Sequence, residues 1–339
     1  MGGVDTLYRV SFQTNCYAWV PQGYSSLYPG VGYSLDYALR DLARIGYDGA
    51  EVDCAHILDT RLWTLTERER ATLKDSVEGL GIGLEAFSAH DWPLSGASFT
   101  SQDEASSRLG LEWTKGIIDL AADLGAGVVT DHVSSPRVKA VDLLPGMPIG
   151  SFRGSIPAFG LPSDLTGGER GLMVQRVGEC SDYCKSRGVL FAIEEYSPWS
   201  FWRDFIREVG SPALKVNLHA AQAWRETLRT KGYVEESSLP DAIREIGTLL
   251  AHTHCMDYRS VSALPPLTTR GSSPTVEVVP GSGECDYMAF VRALQEIGYE
   301  GYLTVECHRS DAQPGILAAQ ALRNMRRIVT LASTSQPAG

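Results

Sequence analysis

Apolar residues follow a repeating order along the chain: an amphipathic helix, a glycine turn, a short apolar strand and a polar loop. The first helix is predicted over Leu35 to Ile45, where apolar side chains recur at the three- and four-residue spacing of one helix face. It ends at Gly46, and a short strand at Ala50 to Asp53 follows. Thr66, with Glu69 three residues later, has the pattern of a capping box and predicts the start of the next helix.

The same unit recurs through the rest of the chain. Further strands are predicted at residues 84–90, 128–132, 189–194, 214–219, 249–254 and 302–306. Residues 9–15 supply one more strand before the first helix, so eight strands alternate with eight helices. This alternation predicts an α/β fold of the (β/α)8 TIM-barrel class. The alternative is a doubly wound open sheet, which normally carries a Gly-x-Gly-x-x-Gly loop after an early strand, and the sequence has none there.

Residues 1–339 are predicted to form a single domain, because no change of composition marks a boundary. Two connections, at about residues 134–168 and 257–284, are longer than a barrel requires. Both leave predicted strands at their carboxyl ends, the face where the active sites of such barrels lie. We predict them to be long loops without secondary structure that act as lids or partner surfaces.

Four predicted strands end in a side chain that can bind a metal ion, namely Glu194, His219, His254 and Glu306. Because a strand buried on both faces should be apolar throughout, acids at its end need a partner such as a cation, a metal or a substrate. A barrel directs the carboxyl ends of all its strands toward one mouth. Two carboxylates and two imidazoles there favour Mn²⁺, Fe²⁺, Co²⁺ or Zn²⁺ over Ca²⁺. The alternative is that the four are unrelated surface or core residues.

The composition narrows the class of protein. The chain has 339 residues, 43% of them hydrophobic, and a formal net charge of −11, which argues against a nucleic-acid-binding protein. No apolar run reaches the roughly 18 residues of a membrane helix, and the N-terminus lacks the regions of a signal peptide. The seven cysteines are scattered without a C-x-x-C pair, which favours a reducing compartment. A cytoplasmic enzyme is therefore predicted.

Five segments carry a resemblance to a known family through their order and spacing: Gly46–Val52, Phe191–Glu194, His252–Asp257, Gly281–Asp286 and Gly298–Glu306. Together the chain resembles the xylose-isomerase-like TIM barrel superfamily, the sugar phosphate isomerase/epimerase family that includes the ketose 3-epimerases. The resemblance covers nearly the whole chain. In the epimerase branch it implies one divalent cation held by Glu, Asp, His and Glu from four strand ends. Glu194, His254 and Glu306 match three of these positions.

The fourth position departs from the family pattern. Where the family has Asp-x-x-His, this chain has His219 followed three residues later by Gln222. His219 can still bind the ion, but the site then carries one less negative charge. This favours Mn²⁺, with Fe²⁺, Co²⁺, Zn²⁺ or Mg²⁺ as alternatives. The departure also leaves open a relative that has lost its metal.

Five further residues are predicted to bind the substrate: His90, His132, Gln222, Asp257 and Arg309. The family often places substrate-binding or second-metal histidines where His90 and His132 end their strands. Gln222 could hydrogen-bond a hydroxyl group, and Asp257 could orient a metal-bound histidine. Arg309 is a candidate for gripping an anionic or hydroxylated substrate. Each of these residues also has an ordinary structural or surface role as its alternative.

The function that the resemblance implies is proton transfer next to a carbonyl group on a sugar or sugar-like polyol. Glu194 and Glu306 would be the acid/base pair, as in the epimerase relatives, and a cation would act as a Lewis acid. The alternative is a metal-dependent lyase or dehydratase, including cleavage of 3-keto C-glycosides. A metal-dependent oxidase and a non-catalytic barrel subunit also remain open. The expected partner is a small carbohydrate-like molecule, without nucleic acid or membrane, and the resemblance implies a homodimer or homotetramer.

Overall fold

Eight parallel strands close into a barrel in the computed structural model, which describes residues 8–18, 32–54, 56–57, 62–89, 98–133, 165–194, 199–220, 238–260, 275–308 and 312–334. The strands are β1 (Val10–Gln13), β2 (Gly49–Val52), β3 (Gly83–Ser88), β4 (Val128–Asp131), β5 (Leu190–Glu194), β6 (Leu214–His219), β7 (Leu250–Cys255) and β8 (Leu303–Val305). Each pairs with the barrel strand that follows it in the chain, and β8 pairs with β1 to close the ring. The predicted (β/α)8 fold is confirmed.

Eight main helices of the described part of the chain surround the barrel. They are α1 (Leu35–Ile45), α2 (Glu67–Glu78), α3 (Glu104–Leu124), α4 (Gly167–Arg187), α5 (Trp199–Val209), α6 (Leu239–Ile246), α7 (Tyr287–Glu296) and α8 (Pro314–Thr334). Thr66 and Glu69 form the predicted capping box at the start of α2. Gly46 ends α1 at φ 102°, a left-handed conformation that glycine adopts without a steric penalty. Shorter helical turns lie at Asn15–Ala18, Leu62–Thr64 and Gly247–Leu249.

The two faces of each barrel strand differ in chemistry. Side chains that point outward pack against the helices, and Phe12, Phe87 and Phe191 are each fully buried there. The positions that alternate with them point into the barrel. Many of these inward residues are polar and buried: Ser11, Gln13, Glu51, Thr130, Asn217, His252 and Thr304. Glu85 joins them where the pairing of β2 with β3 shifts register, and its carboxylate contacts Ser11, His252 and Thr304. The barrel therefore has an apolar shell outside and a polar interior, which leads up to the mouth formed by the strand ends.

One of the two predicted long loops is partly structured. Asp257–Ser260 and Thr275–Val278 pair as an antiparallel hairpin directly after β7. The prediction of a structureless loop over 257–284 is therefore wrong at both ends of that segment, while residues 261–274 lie outside the described part of the chain. In the other segment, residues 134–164 also lie outside it, and Gly167 and Gly168 already belong to α4.

No helix among the described residues combines the length and the apolar character that crossing a membrane requires.

Candidate metal centre

Three of the four predicted ligands meet at the mouth of the barrel. Glu194 ends β5, His219 ends β6 and Glu306 follows β8, and β5 to β8 are neighbours in the ring. One ligand atom from each of the three lies within 4.8 Å of the others. The closest pair is Nε2 of His219 and Oε2 of Glu306, which are 2.8 Å apart. All three side chains are almost fully buried, with 3 to 4% of each residue exposed.

The Oε2 atom of Glu306 is the feature that fits a cation. It is buried, and its close neighbours are Nε2 of His219 at 2.8 Å and Nδ1 of His254 at 3.5 Å. Imidazole nitrogens of this kind bind divalent cations. Two ligand atoms on the same ion, each about 2.1 Å from it, are typically some 3 Å apart, which is close to the spacing of His219 Nε2 and Glu306 Oε2. The donor set of two carboxylates and an imidazole suits a first-row divalent cation.

His254, the fourth predicted ligand, lies on the inner side of these three residues. Its Nδ1 is 2.9 Å from Oε2 of Glu194 and 3.5 Å from Oε2 of Glu306. Its Nε2 is 2.8 Å from Oε2 of Glu51, deeper in the barrel. The structure therefore brings all four predicted side chains together, but it places His254 between the mouth and the polar interior.

A second group of metal-ligating side chains, formed by Glu51, His252 and His254, lies deeper in the barrel. Here the donors and acceptors are paired with one another. Oε1 of Glu51 accepts hydrogen bonds from Thr130 at 2.8 Å and Gln13 at 3.4 Å, while Oε2 contacts His254. His252 is bonded in turn: its Nδ1 lies 3.1 Å from Asn217 Oδ1, and its Nε2 lies 3.2 Å from Glu85 Oε2. This group is a hydrogen-bonded support beneath the mouth, and the group at the strand ends, where a substrate can reach it, is the better ion site.

The carboxylates and imidazoles at the mouth stabilise one another's charged forms. Burial by itself would raise the pKa of Glu306, but the imidazoles of His308, His219 and His254 lower that pKa well below its usual range. Burial by itself would lower the pKa of His254, but the carboxylates of Glu194, Glu51 and Glu306 raise it well above its usual range. The mouth therefore stabilises Glu306 as a carboxylate, the form that binds a cation.

His132, a predicted substrate-binding residue, lies beside Glu194. Its Nδ1 is 2.6 Å from the backbone oxygen of Glu194, and its Nε2 is 3.9 Å from Oε1 of the same residue. The ring is thus held at the rim of the site with 12% of its side chain exposed. Three other predicted substrate-binding residues, His90, Gln222 and Arg309, lie outside the described residues.

Asp257, another predicted substrate-binding residue, is hydrogen-bonded to the backbone of the turn that follows the hairpin. Asp257 is fully buried. Its carboxylate accepts hydrogen bonds at 2.8 to 3.1 Å from the backbone N–H groups of Tyr258, Gly281, Gly283 and Cys285. These contacts leave it no contact with a histidine or with the mouth among the residues described. Asp257 holds together the turn that follows the hairpin, and its role with a substrate or a histidine stays a prediction.

Replacing Asp257 with alanine is expected to lower the free energy of unfolding by about 3 kcal/mol, because four backbone amides lose a charged acceptor in a buried setting. The midpoint of urea denaturation measures this effect. Asp286→Ala is the matched control, since Asp286 caps only Ala289 at the start of α7 and its loss should cost about 1 kcal/mol. Equal losses in the two variants would contradict the role assigned to Asp257.

Two residues of the site that the sequence did not single out are His308 and Glu277. Nε2 of His308 lies 3.0 Å from Oε1 of Glu306. Glu277, on the second hairpin strand, accepts a hydrogen bond from the backbone N–H of His308 at 2.7 Å. The carboxylates of Glu306 and Glu277 beside its half-exposed ring raise the pKa of His308 to about 9.

Glu51 and Asn217 were missed as well, and the sequence held a signal for both. Glu51 is the one charged residue of β2, and Asn217 lies at an inward position of β6 between apolar Val216 and Leu218. Asn217 donates to Oε2 of Glu194 at 3.1 Å. Because residues two apart on a strand share a face, Asn217 lies below His219 just as His252 lies below His254. This periodicity would have predicted a second polar layer.

Comparison with known proteins places this fold among related barrels. A family profile described as "Xylose isomerase-like TIM barrel" matches residues 39–328. A D-psicose 3-epimerase from Enterocloster bolteae is 22% identical over 281 residues, 78% of this chain and 74% of that protein. A solved L-ribulose 3-epimerase superposes with a TM-score of 0.63 at 17% identity, covering 98% of this chain and 99% of that one. A xylose isomerase-like TIM barrel protein from Mycobacterium smegmatis, solved in complex with magnesium, gives 0.64 at 17% identity, with 96% and 97% covered.

Proposed function

The chain belongs to the family of xylose isomerase-like TIM barrels, and from that premise we propose that it is a divalent-metal-dependent isomerase or epimerase of a sugar or sugar-like polyol. The relatives named above include two sugar 3-epimerases, D-psicose 3-epimerase and L-ribulose 3-epimerase. The proposed cofactor is one divalent cation, Mn²⁺ first, held by Glu194, His219 and Glu306 with His254 beside them.

One observation carries the proposal. Buried ligand atoms of Glu194, His219 and Glu306 lie within 4.8 Å of one another at the barrel mouth, with Oε2 of Glu306 2.8 Å from Nε2 of His219. Glu51, in the layer below, instead accepts hydrogen bonds from Thr130 and Gln13. A cation completes the environment of Oε2 with atoms that the fold already brings together.

The cation, when bound, supplies Lewis-acid stabilisation of the negative charge that develops on oxygen next to the reacting carbon. Glu194 and Glu306 supply the proton transfer. They approach the mouth from β5 and from the end of β8, with β6 and β7 between them. Two carboxylates that reach a substrate from separate directions allow one to remove a proton and the other to return it, which inverts the carbon. One carboxylate doing both would give aldose–ketose isomerisation.

The residues around Glu194 fix its orientation. Asn217 donates to its Oε2 at 3.1 Å, and His254 Nδ1 lies 2.9 Å from the same oxygen. The other oxygen, Oε1, faces His132. Glu194 and Glu306 are each 4% exposed, and in such a water-poor site charges act on a reacting group more strongly than in bulk water.

Solvent isotope exchange tests the proposed reaction. The Mn²⁺-loaded protein, incubated in D₂O with a panel of ketoses that includes D-psicose and L-ribulose, is expected to place one deuterium on the carbon next to the carbonyl group. The epimer is expected to appear without loss of water. Mass spectrometry and proton NMR of the recovered sugars measure both. The metal-free protein is the control and is expected to exchange no deuterium.

The same assay separates the rival reactions. A product lighter by one water, or a released aglycone from a 3-keto C-glycoside, would replace epimerisation with elimination. Consumption of oxygen without isotope exchange would indicate an oxidase. A protein that binds no Mn²⁺ and changes no sugar on the panel would contradict the proposal and favour a non-catalytic barrel subunit.

A further inference from the structure

We propose that His308 is a positioning residue that orients the carboxylate of Glu306 in the barrel mouth. Glu277 of the hairpin holds His308 in place. The inference rests on the proposed function, because it concerns how one of the proposed ligands acquires its geometry.

Because His308 contacts Glu306, the two carboxylate oxygens of Glu306 have different neighbours. Nε2 of His308 lies 3.0 Å from Oε1 of Glu306, whereas Oε2 faces Nε2 of His219 at 2.8 Å. The terminal torsion of a glutamate has broad preferences and does not fix the carboxylate plane by itself. A partner on Oε1 selects one orientation, in which Oε2 points at the ion site.

His308 is itself held from two sides. Its backbone N–H donates to Oε1 of Glu277 at 2.7 Å, and its Nδ1 lies 3.8 Å from Oε2 of Glu277. Its ring therefore lies between two carboxylates, Glu277 on one nitrogen and Glu306 on the other. His308 lies beyond the end of β8, and 47% of its side chain is exposed. Because strand pairing does not hold His308 there, its position depends on the contacts that Glu277 of the hairpin makes with it.

The hairpin that carries Glu277 is anchored at its base. Asp257, the first residue of the hairpin, accepts the backbone N–H groups of Gly281, Gly283 and Cys285 just after the second strand. A side chain at position 283 would collide with the Asp257 carboxylate, so the turn closes tightly on that residue. Glu277 thus has a fixed place relative to β7 and β8, and the hairpin contributes to the site as a support for Glu306.

Mn²⁺ binding to the protein measures the proposed role without any substrate. By isothermal titration calorimetry, His308→Ala is expected to weaken Mn²⁺ binding about tenfold, the lower range for losing the partner of a metal ligand. His308→Gln, whose amide N–H can donate to the same oxygen, is expected to restore most of the affinity. Val276→Ala is the matched control, because Val276 precedes Glu277 on the same strand and is 44% exposed. It should bind Mn²⁺ like the wild type.

The path through Glu277 is tested by a double-mutant cycle. If Glu277 acts through His308, Glu277→Ala weakens Mn²⁺ binding on its own but has no further effect in the His308→Ala background. Thermal denaturation of each variant shows whether it is folded. Wild-type affinity in His308→Ala, a failure of His308→Gln to recover affinity, or additive effects in the cycle would each overturn the inference. A wild-type protein that binds no Mn²⁺ would instead overturn the proposed function, so the two failures are distinguishable.

Discussion

Replacing Glu306 with glutamine is expected to weaken Mn²⁺ binding by at least ~100-fold and to lower kcat for the sugar by about 1,000-fold. The variant loses a charged ligand. This loss is expected to weaken metal binding more than the loss of a ligand's supporting partner, which typically costs about tenfold to 100-fold in affinity. It also loses a proton-transfer group, for which effects of about 100- to 10,000-fold are typical. Calorimetry gives the first quantity, and steady-state kinetics on the best substrate of the ketose panel give the second.

Glutamine preserves the shape of the side chain and its bond to His308, since its amide oxygen can still accept from Nε2. Loss of folding is therefore not the expected cause. Glu300→Gln, an exposed residue in the turn before β8, is the matched control and should match the wild type in both measurements. Unchanged Mn²⁺ affinity in Glu306→Gln would remove Glu306 from the ion site, whatever happened to kcat.

Replacing Glu51 with alanine is expected to lower the free energy of unfolding by about 3 to 5 kcal/mol. Removing one partner from a buried charged pair leaves the other uncompensated, and Glu51 is fully buried with Oε2 2.8 Å from Nε2 of His254. Thr130 and Gln13 would lose their acceptor as well. Urea denaturation of the metal-free protein, monitored by circular dichroism, measures the change.

Glu78→Ala is the control for this experiment, because Glu78 is an exposed residue at the end of α2. Its effect should stay within about 0.5 kcal/mol. If Glu51→Ala proved as mild as Glu78→Ala, the interior network would not be the support beneath the mouth that its contacts indicate.

Much of the fold could be predicted from the hydrophobic pattern. The predicted bounds of α1 and β6 agree with the structure at both ends, because in each case a strong apolar period meets a clear stop signal at a glycine or a polar residue. Strand ends elsewhere agree within two residues. The hairpin Asp257–Ser260 with Thr275–Val278 was not predicted. Its strands are four residues each and separated by a long connection, so no local signal pairs them.

In the candidate site, too, some features could be predicted from the sequence and others could not. Glu194, His219, His254 and Glu306 are recognisable because each ends an apolar strand, and barrel topology alone makes such ends converge. The position of His254 between Glu194 and Glu51 depends on side-chain rotamers, which the sequence does not specify. Glu277 reaches His308 through the hairpin, so this contact could not be predicted while the hairpin itself was missed.

The metal site is tested most directly by a crystal structure of the protein loaded with Mn²⁺, with anomalous diffraction recorded at the manganese edge. We expect one anomalous peak at the barrel mouth, within about 2.4 Å of a carboxylate oxygen of Glu194, a carboxylate oxygen of Glu306 and Nε2 of His219. A peak bound instead by Glu51 and His252, or no peak anywhere in the barrel, would contradict the account.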